Sequence, residues 1–223
     1  MVRVVFDTED KVSVYCDRRY SKWAQRGISG REHRLLISLL DELPRTERIL
    51  DMPSGYGRFT PLLLPRTDCL ISLDLSHHML AKALERTDQV GAELAGQGLA
   101  AEAGASFFAN AVSSQLPLPD KCVDLSLTVR HFHHVHDRER RSAMLGELNR
   151  VTRQRIILTF YRNGTLHHAQ RLVKKVKPLV KQITFRSIDQ FVAETGEAGL
   201  EVERIIKLKR MVHSQTFAVL RPS

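Results

Sequence analysis

The stretch Ile49-Leu50-Asp51-Met52-Pro53-Ser54-Gly55-Tyr56-Gly57-Arg58-Phe59-Thr60 limits what this chain can fold into more than any other. An apolar run ends in an acid, two glycines follow one residue apart, and an amphipathic stretch begins. That order reads as strand, tight turn, helix. Gly55 and Gly57 let the backbone turn sharply and approach a ligand where a Cβ would block it. A helix beginning near Gly57 would direct unpaired N–H groups at the turn. A dinucleotide would set its pyrophosphate there, but Asp51 would then face an anion. Thr60 also occupies the third position of G-x-G-x-x-G, so the dinucleotide fingerprint is incomplete. A cationic ligand suits the turn better, because a carboxylate can hold an ammonium group or face a sulfonium.

A second acid completes the pattern. Leu70-Ile71-Ser72-Leu73-Asp74 is an apolar run whose acid stands 17 residues after Gly57. An acid at the tip of the next strand can accept both hydroxyls of a ribose. A ribose together with a cation points to S-adenosylmethionine as the cofactor.

Four stretches carry a family resemblance, in order along residues 48–160. Leu50 to Gly57 resembles the first motif of class I S-adenosylmethionine-dependent methyltransferases. Asp74-Leu75-Ser76-His77-His78-Met79-Leu80 resembles their acidic second motif. Leu116-Pro117-Leu118-Pro119-Asp120-Lys121-Cys122-Val123-Asp124-Leu125 and Val129-Arg130-His131-Phe132-His133-His134-Val135 are similar to the two stretches that follow. The nearest branch is the ubiquinone/menaquinone-methyltransferase-like group, whose acceptors are diverse. The resemblance implies transfer of a methyl group to an O, N or C acceptor. It also implies cofactor contacts from Asp51, Pro53, Gly55, Gly57, Asp74, Leu75, Met79, Asn110, Ala111 and Arg130. At its spacing Met79 is more often a core residue than an adenine contact. Tyr20 or Arg19, ahead of the first helix, could reach the methionine carboxylate; the other reading of that segment is a surface helix with Trp23 inward.

Methyl transfer is an in-line displacement, and a general base helps when the acceptor is a hydroxyl or an acidic carbon. Histidine titrates near neutrality. His133 and His134 are therefore the candidate bases, with packing and capping of their loop as the other reading. The three cysteines, Cys16, Cys69 and Cys122, are scattered without metal spacing. A reduced compartment and no metal centre are expected.

The formal net charge of +9 is unevenly placed. Residues 153–223 hold 14 Lys and Arg against 5 Asp and Glu, so the whole excess lies in the last third. That asymmetry points to an anionic partner or to a solvated basic face. Leu166 to Ile183 reads as a basic amphipathic helix broken at Pro178. The resemblance implies that this segment helps cover the acceptor site; as a basic amphipathic helix it could also touch an anionic membrane surface or pack on the sheet with its charges in water. The expected acceptor is a small molecule, lipid or glycan, and anionic. A nucleic-acid acceptor is disfavoured, because Thr128-Val129-Arg130-His131 stands where an Asn-Pro-Pro-Tyr-like motif would be. A non-catalytic cofactor-binding module is the remaining alternative. No apolar run nears the ~20 residues of a membrane span, and Met1-Val2-Arg3-Val4 leads into charge rather than a signal peptide. A cytoplasmic protein is expected, with peripheral membrane contact through 166–183.

Hydrophobic residues make up 43% of the chain, enough for a packed core. Residues 1–16 alternate weakly and read as a loose arm or short strands. Helices are expected over Arg31–Leu43, from Phe59 to a stop at Pro65, after a Ser76 cap, over Arg138–Val151 and over Ile188–Glu194. Strands are expected at Arg48–Met52, Cys69–Leu73, Ser106–Ala109, Val123–Val129, Arg155–Tyr161, Leu200–Leu208 and His213–Leu220. Alternation of strand and helix means an α/β doubly wound sheet. The implied fold is Rossmann-like, with seven mostly parallel strands, a C-terminal antiparallel hairpin and an N-terminal helical cap. The cap is expected over 1–44 and the methyltransferase domain over 45–223, with a covering segment at about 162–186.

Overall fold

The computed structural model describes residues 8–19, 23–99, 104–166, 169, 183–209 and 211–223. Tyr20 and most of the basic stretch expected over 166–183 lie outside them. The chain divides into two compact units, Met1–Val112 and Ser113–Ser223.

The first unit opens with two helices, α1 (Glu9–Arg19) and α2 (Trp23–Asp41). Strand β1 (Thr46–Asp51) and a short α3 (Thr60–Leu63) follow. Strand β2 (Thr67–Asp74), helix α4 (His77–Gly96) and strand β3 (Ala105–Asn110) complete the unit. β1 pairs in parallel with β2, and β2 with β3. Ile49, Leu50, Leu70 and Leu73 are buried on these strands, and Met79, Leu80 and Ala83 on α4. Ser76 caps α4 by accepting the Met79 N–H, as its side chain and position predict.

Two local expectations are corrected here. Residues 9–19 form a helix rather than a strand. Glu9 and Asp10 lie in its first turn, where acids favour the helix dipole, and Val12 is buried. The helix after the glycines starts only at Thr60 and lasts four residues. Pro65 has no N–H to give the Pro61 carbonyl, so the chain tightens into a 3₁₀ turn at Leu64–Arg66. Because Thr60 N–H already donates to Gly57 O at 3.1 Å, it is not offered to a ligand.

The second unit contains β4 (Val123–Thr128), α5 (Arg138–Val151), β5 (Thr152–Tyr161), α6 (Ile188–Glu197), β6 (Leu200–Lys209) and β7 (His213–Pro222). β4 and β5 are parallel; β7 is antiparallel to both β5 and β6. Every residue of β4 is buried, as a near-continuous apolar central strand requires. Phe191 of α6 stacks on Phe160 of β5 at 4.0 Å and meets Phe132 edge-on at 5.6 Å. Ser187 and Gln190 form a reciprocal capping box that fixes the start of α6. Glu147 and Arg150 of α5 secure the Leu116–Asp120 stretch. Glu147 accepts the Leu116 N–H at 2.6 Å, and Arg150 donates to Leu118 O and Asp120 at 2.8 and 2.7 Å.

The strands make the expected seven-stranded mixed sheet, whose antiparallel pairings are those of β7 with β5 and β6. Among the described residues no helix is long and apolar enough to cross a membrane.

Candidate functional site

Asp51 ends β1 with its side chain almost wholly buried. Its Oδ2 has no hydrogen-bond partner. Burial pushes its pKa up to about 8; nearby Asp74 adds to the rise and Arg58 opposes it. An unpartnered carboxylate in such a place is costly unless it takes a proton or meets a cation.

Beyond Asp51 the chain turns through Gly55 and Gly57, with φ of 57° and 74°. Both values lie in the left-handed region that glycine favours. Gly57 is also a close approach. A Cβ there would lie 2.9 Å from Thr60 Oγ1 and 3.0 Å from the Ala83 Cα of α4. Gly55 has open space around the same position, so only its backbone conformation demands glycine. Pro53 is half-buried in this turn.

Asp74, at the end of β2, holds the surrounding turns together. Its Oδ2 accepts the Gly55 N–H at 3.0 Å and its Oδ1 accepts the Ser76 N–H at 2.9 Å. Its carbonyl accepts from Ala111 N–H at 3.1 Å and from Asn110 Nδ2 at 3.2 Å. Burial raises the Asp74 pKa, and the N–H groups of Ser76, Gly55 and Leu75 act against the rise. The two carboxylate oxygens keep acceptor capacity beyond the backbone bonds they make. Since the Asn110 amide nitrogen is spent on the backbone, its oxygen is the group it can offer. Leu75 is half-buried beside Asp74, and Met79 is 3% exposed, in the core of α4. The structure thus brings Asp51, Gly55, Gly57, Asp74, Leu75, Asn110 and Ala111 together at the carboxyl ends of adjacent parallel strands. Open α/β sheets bind ligands at such ends.

Residues 50–160 match the family model of a methyltransferase domain. The chain belongs to the class I S-adenosylmethionine-dependent methyltransferases. Its cofactor is S-adenosylmethionine. A magnesium protoporphyrin IX methyltransferase from Synechocystis PCC 6803, crystallised with the demethylated cofactor, is 16% identical with a TM-score of 0.74; the match covers 98% of this chain and 96% of that one. The same enzyme was also crystallised with S-adenosylmethionine. A methyltransferase from Methanosarcina mazei matches at 16% identity and TM-score 0.64, over 82% and 96% of the chains. One from Aquifex aeolicus matches at 17% and 0.62, over 96% and 97%. At these identities the likeness is one of fold. No curated protein matches the sequence significantly. The residues fit the cofactor: the methyltransferase presents an unpartnered buried carboxylate, a glycine turn too close-packed for a Cβ, and a carboxylate with acceptor capacity to spare.

The second unit carries the other expected residues. Arg130 follows β4 at φ 59°, its N–H bonded to Thr159 Oγ1 at 2.7 Å. Phe132–His134 is a single 3₁₀ turn. His133 is 2% exposed and stacks on Tyr161 at 3.9 Å; His134 is exposed. The backbone N–H of Thr184 donates to His133 O at 2.9 Å, and Arg141 donates to the carbonyls of Val135 and His136 at 3.0 and 2.7 Å. Arg141 itself is held by Glu194, at 3.0 Å.

Two residues were not singled out by sequence. His131 Nε2 lies 2.9 Å from Ser113 Oγ, and burial lowers its pKa to about 4, so its ring is neutral at physiological pH. Nothing in the chain order marks Ser113 as its neighbour. Arg58 makes a buried ion pair with Glu32. Its signal was its place in the glycine turn, seven residues after a buried acid. Among the described residues no cluster of His, Cys, Asp or Glu could hold a metal ion.

Proposed function

We propose that the methyltransferase acts on an anionic small molecule or lipid. The observation that carries this reading is the concentration of positive charge in residues 153–223, 14 Lys and Arg against 5 Asp and Glu. That excess attracts an anionic partner over distances of about a Debye length, ~8 Å at physiological salt.

When bound, the cofactor supplies an electrophilic methyl group on a sulfonium. The protein's part is to bind and orient. Asp51 offers the charge that faces the cationic end of the cofactor. Asp74 offers its two oxygens to the ribose hydroxyls. The turn at Gly55 and Gly57 admits the ligand against the backbone, and the Asn110 oxygen serves the adenine amino group. Arg130, which follows β4, is the candidate to orient the acceptor. An acceptor that arrives as an anion is already a nucleophile and needs no strong base. The surroundings of the histidines agree with that: His133 is packed on Tyr161, and His131 stays neutral to about pH 4. His134, being exposed, can exchange a proton with water if an acceptor brings one.

The test is transfer of labelled methyl to matched acceptor pairs: carboxylates and phenolates beside their amides and ethers. Label should appear only in the anionic series, and alkali lability would mark a methyl ester. Equal transfer to the neutral members would overturn the proposal.

A further inference from the structure

Arg58 is buried where charge is expensive. Its side chain is 9% exposed and its partner Glu32 is wholly buried, with Nη2 and Oε2 2.5 Å apart. The same nitrogen donates to Ser29 Oγ at 2.8 Å and lies 3.3 Å from His33 Nδ1. The guanidinium sits 4.7 Å from the centre of the Phe59 ring. Ser29, Glu32 and His33 all belong to α2. A buried ion pair is weak as a source of stability, since well-packed apolar residues often replace it without loss. Its position gives it another use. The guanidinium projects from the glycine turn, and its charge acts on Asp51 against the pull of burial and of Asp74.

We propose that Arg58 is a positioning residue for the cofactor. Clamped by Glu32, it governs how readily Asp51 carries the negative charge that a cationic ligand needs, and so ties cofactor affinity to the seating of α2. The inference rests on the reading of Asp51 above. Among the described residues, the charges that act on Asp51 are those of Asp74, at the end of β2, and Arg58, in the glycine turn. Glu32 and His33 act on Arg58 from α2. Because Arg58 and Glu32 are opposite charges in one clamp, removing either loosens the same contacts. Their effects on Asp51 have opposite signs. Loss of the cation makes Asp51 harder to ionise. Loss of the Glu32 charge removes the carboxylate paired with the cation and makes Asp51 easier to ionise.

The experiment is calorimetry of the full chain with S-adenosylmethionine and its demethylated product from pH 5.5 to 9. Wild type, Arg58→Met, Glu32→Gln and Arg58→Lys are compared. The midpoint of the pH dependence should move up by about one unit in Arg58→Met, down in Glu32→Gln, and stay in place in Arg58→Lys even where affinity falls. Repeating the series on a His33→Gln background separates the imidazole titration from that of Asp51. Variants that all weaken binding in parallel, with unmoved midpoints, would overturn the inference and reduce the clamp to a structural tie. If Arg58→Met does not fold, the Glu32→Gln shift decides. A wild-type chain that binds neither ligand would overturn the reading of Asp51 first, and this inference with it.

Discussion

Replacing Asp51 with Asn should make the cofactor-free protein more stable as pH rises, while removing the charge that the cofactor needs. In the folded chain the carboxyl pKa is pushed from 3.8 to about 8. Between those values the folded state holds a proton that the unfolded chain has released. Stability of the wild type therefore falls as pH rises through this window. Each unit is worth ~1.4 kcal/mol, so the penalty is of order 4 kcal/mol at pH 7, levelling off above about pH 8. Asn has no such titration. Its amide brings N–H donors to the place where Oδ2 has no partner, a fixed cost of roughly 1–3 kcal/mol. The slope therefore carries the test and the offset does not. Urea unfolding of both proteins at pH 5, 6, 7 and 8 measures it. The gap should change by about 1.4 kcal/mol per pH unit in favour of the variant. The wild type should also gain about 2.7 kcal/mol from cofactor at 100 times its dissociation constant, and the variant much less. A gap independent of pH would refute the argument, because it would mean that Asp51 is ionised in the folded state.

Gly57→Ala should cost about 2–3 kcal/mol in urea unfolding, since the new Cβ meets the Ala83 backbone as well as a left-handed φ; Gly55→Ala, strained but unobstructed, should cost about 1–2 kcal/mol. Asp74→Ala should weaken cofactor binding at least about tenfold in calorimetry by removing the ribose acceptors; unchanged affinity would show that the ribose lies elsewhere. Arg141→Met leaves Glu194 without one of its two arginine partners and frees the carbonyls of Val135 and His136; denaturation should show a loss of about 3–5 kcal/mol. His134→Ala, at an exposed ring 4.2 Å from that of His133, should lower the melting temperature less than His133→Ala, which removes the ring stacked on Tyr161.

The fold was legible where apolar runs mark buried strands and apolar residues at three- and four-residue spacing mark the inner faces of helices. Val123–Thr128 and Arg138–Val151 follow directly from that patterning. Both acids of the candidate site stand out in the sequence because each is the polar residue that ends a strand. Where the reading failed, chain order hid the cause. Val2, Val4, Val12 and Val14 suggested alternation, yet Val14 is 46% exposed and Val12 buried, a spacing that serves a helix. The helix after the glycines begins at Thr60, later than the turn at Gly57 suggested, and ends beside Pro65 as read. Arg58 drew no notice because its partner Glu32 stands 26 residues earlier, and such a pairing is set by packing alone. The bonds that make Asp74 a junction were equally invisible, for most of them come from backbone N–H groups.

That junction bears on how this domain can be re-engineered. Through one residue, the turn after β1, the turn after β2 and the start of the segment after β3 are braced against each other. Loops on a rigid scaffold are usually exchanged one at a time. Here they behave as a single cassette. A graft that replaces the residues around Asn110 alone would remove the Asn110 side-chain donor from the Asp74 carbonyl and shift the Ala111 N–H, and would be felt at Gly55 through the Asp74 carboxylate. A graft of all three from one donor would carry its own bracing with it.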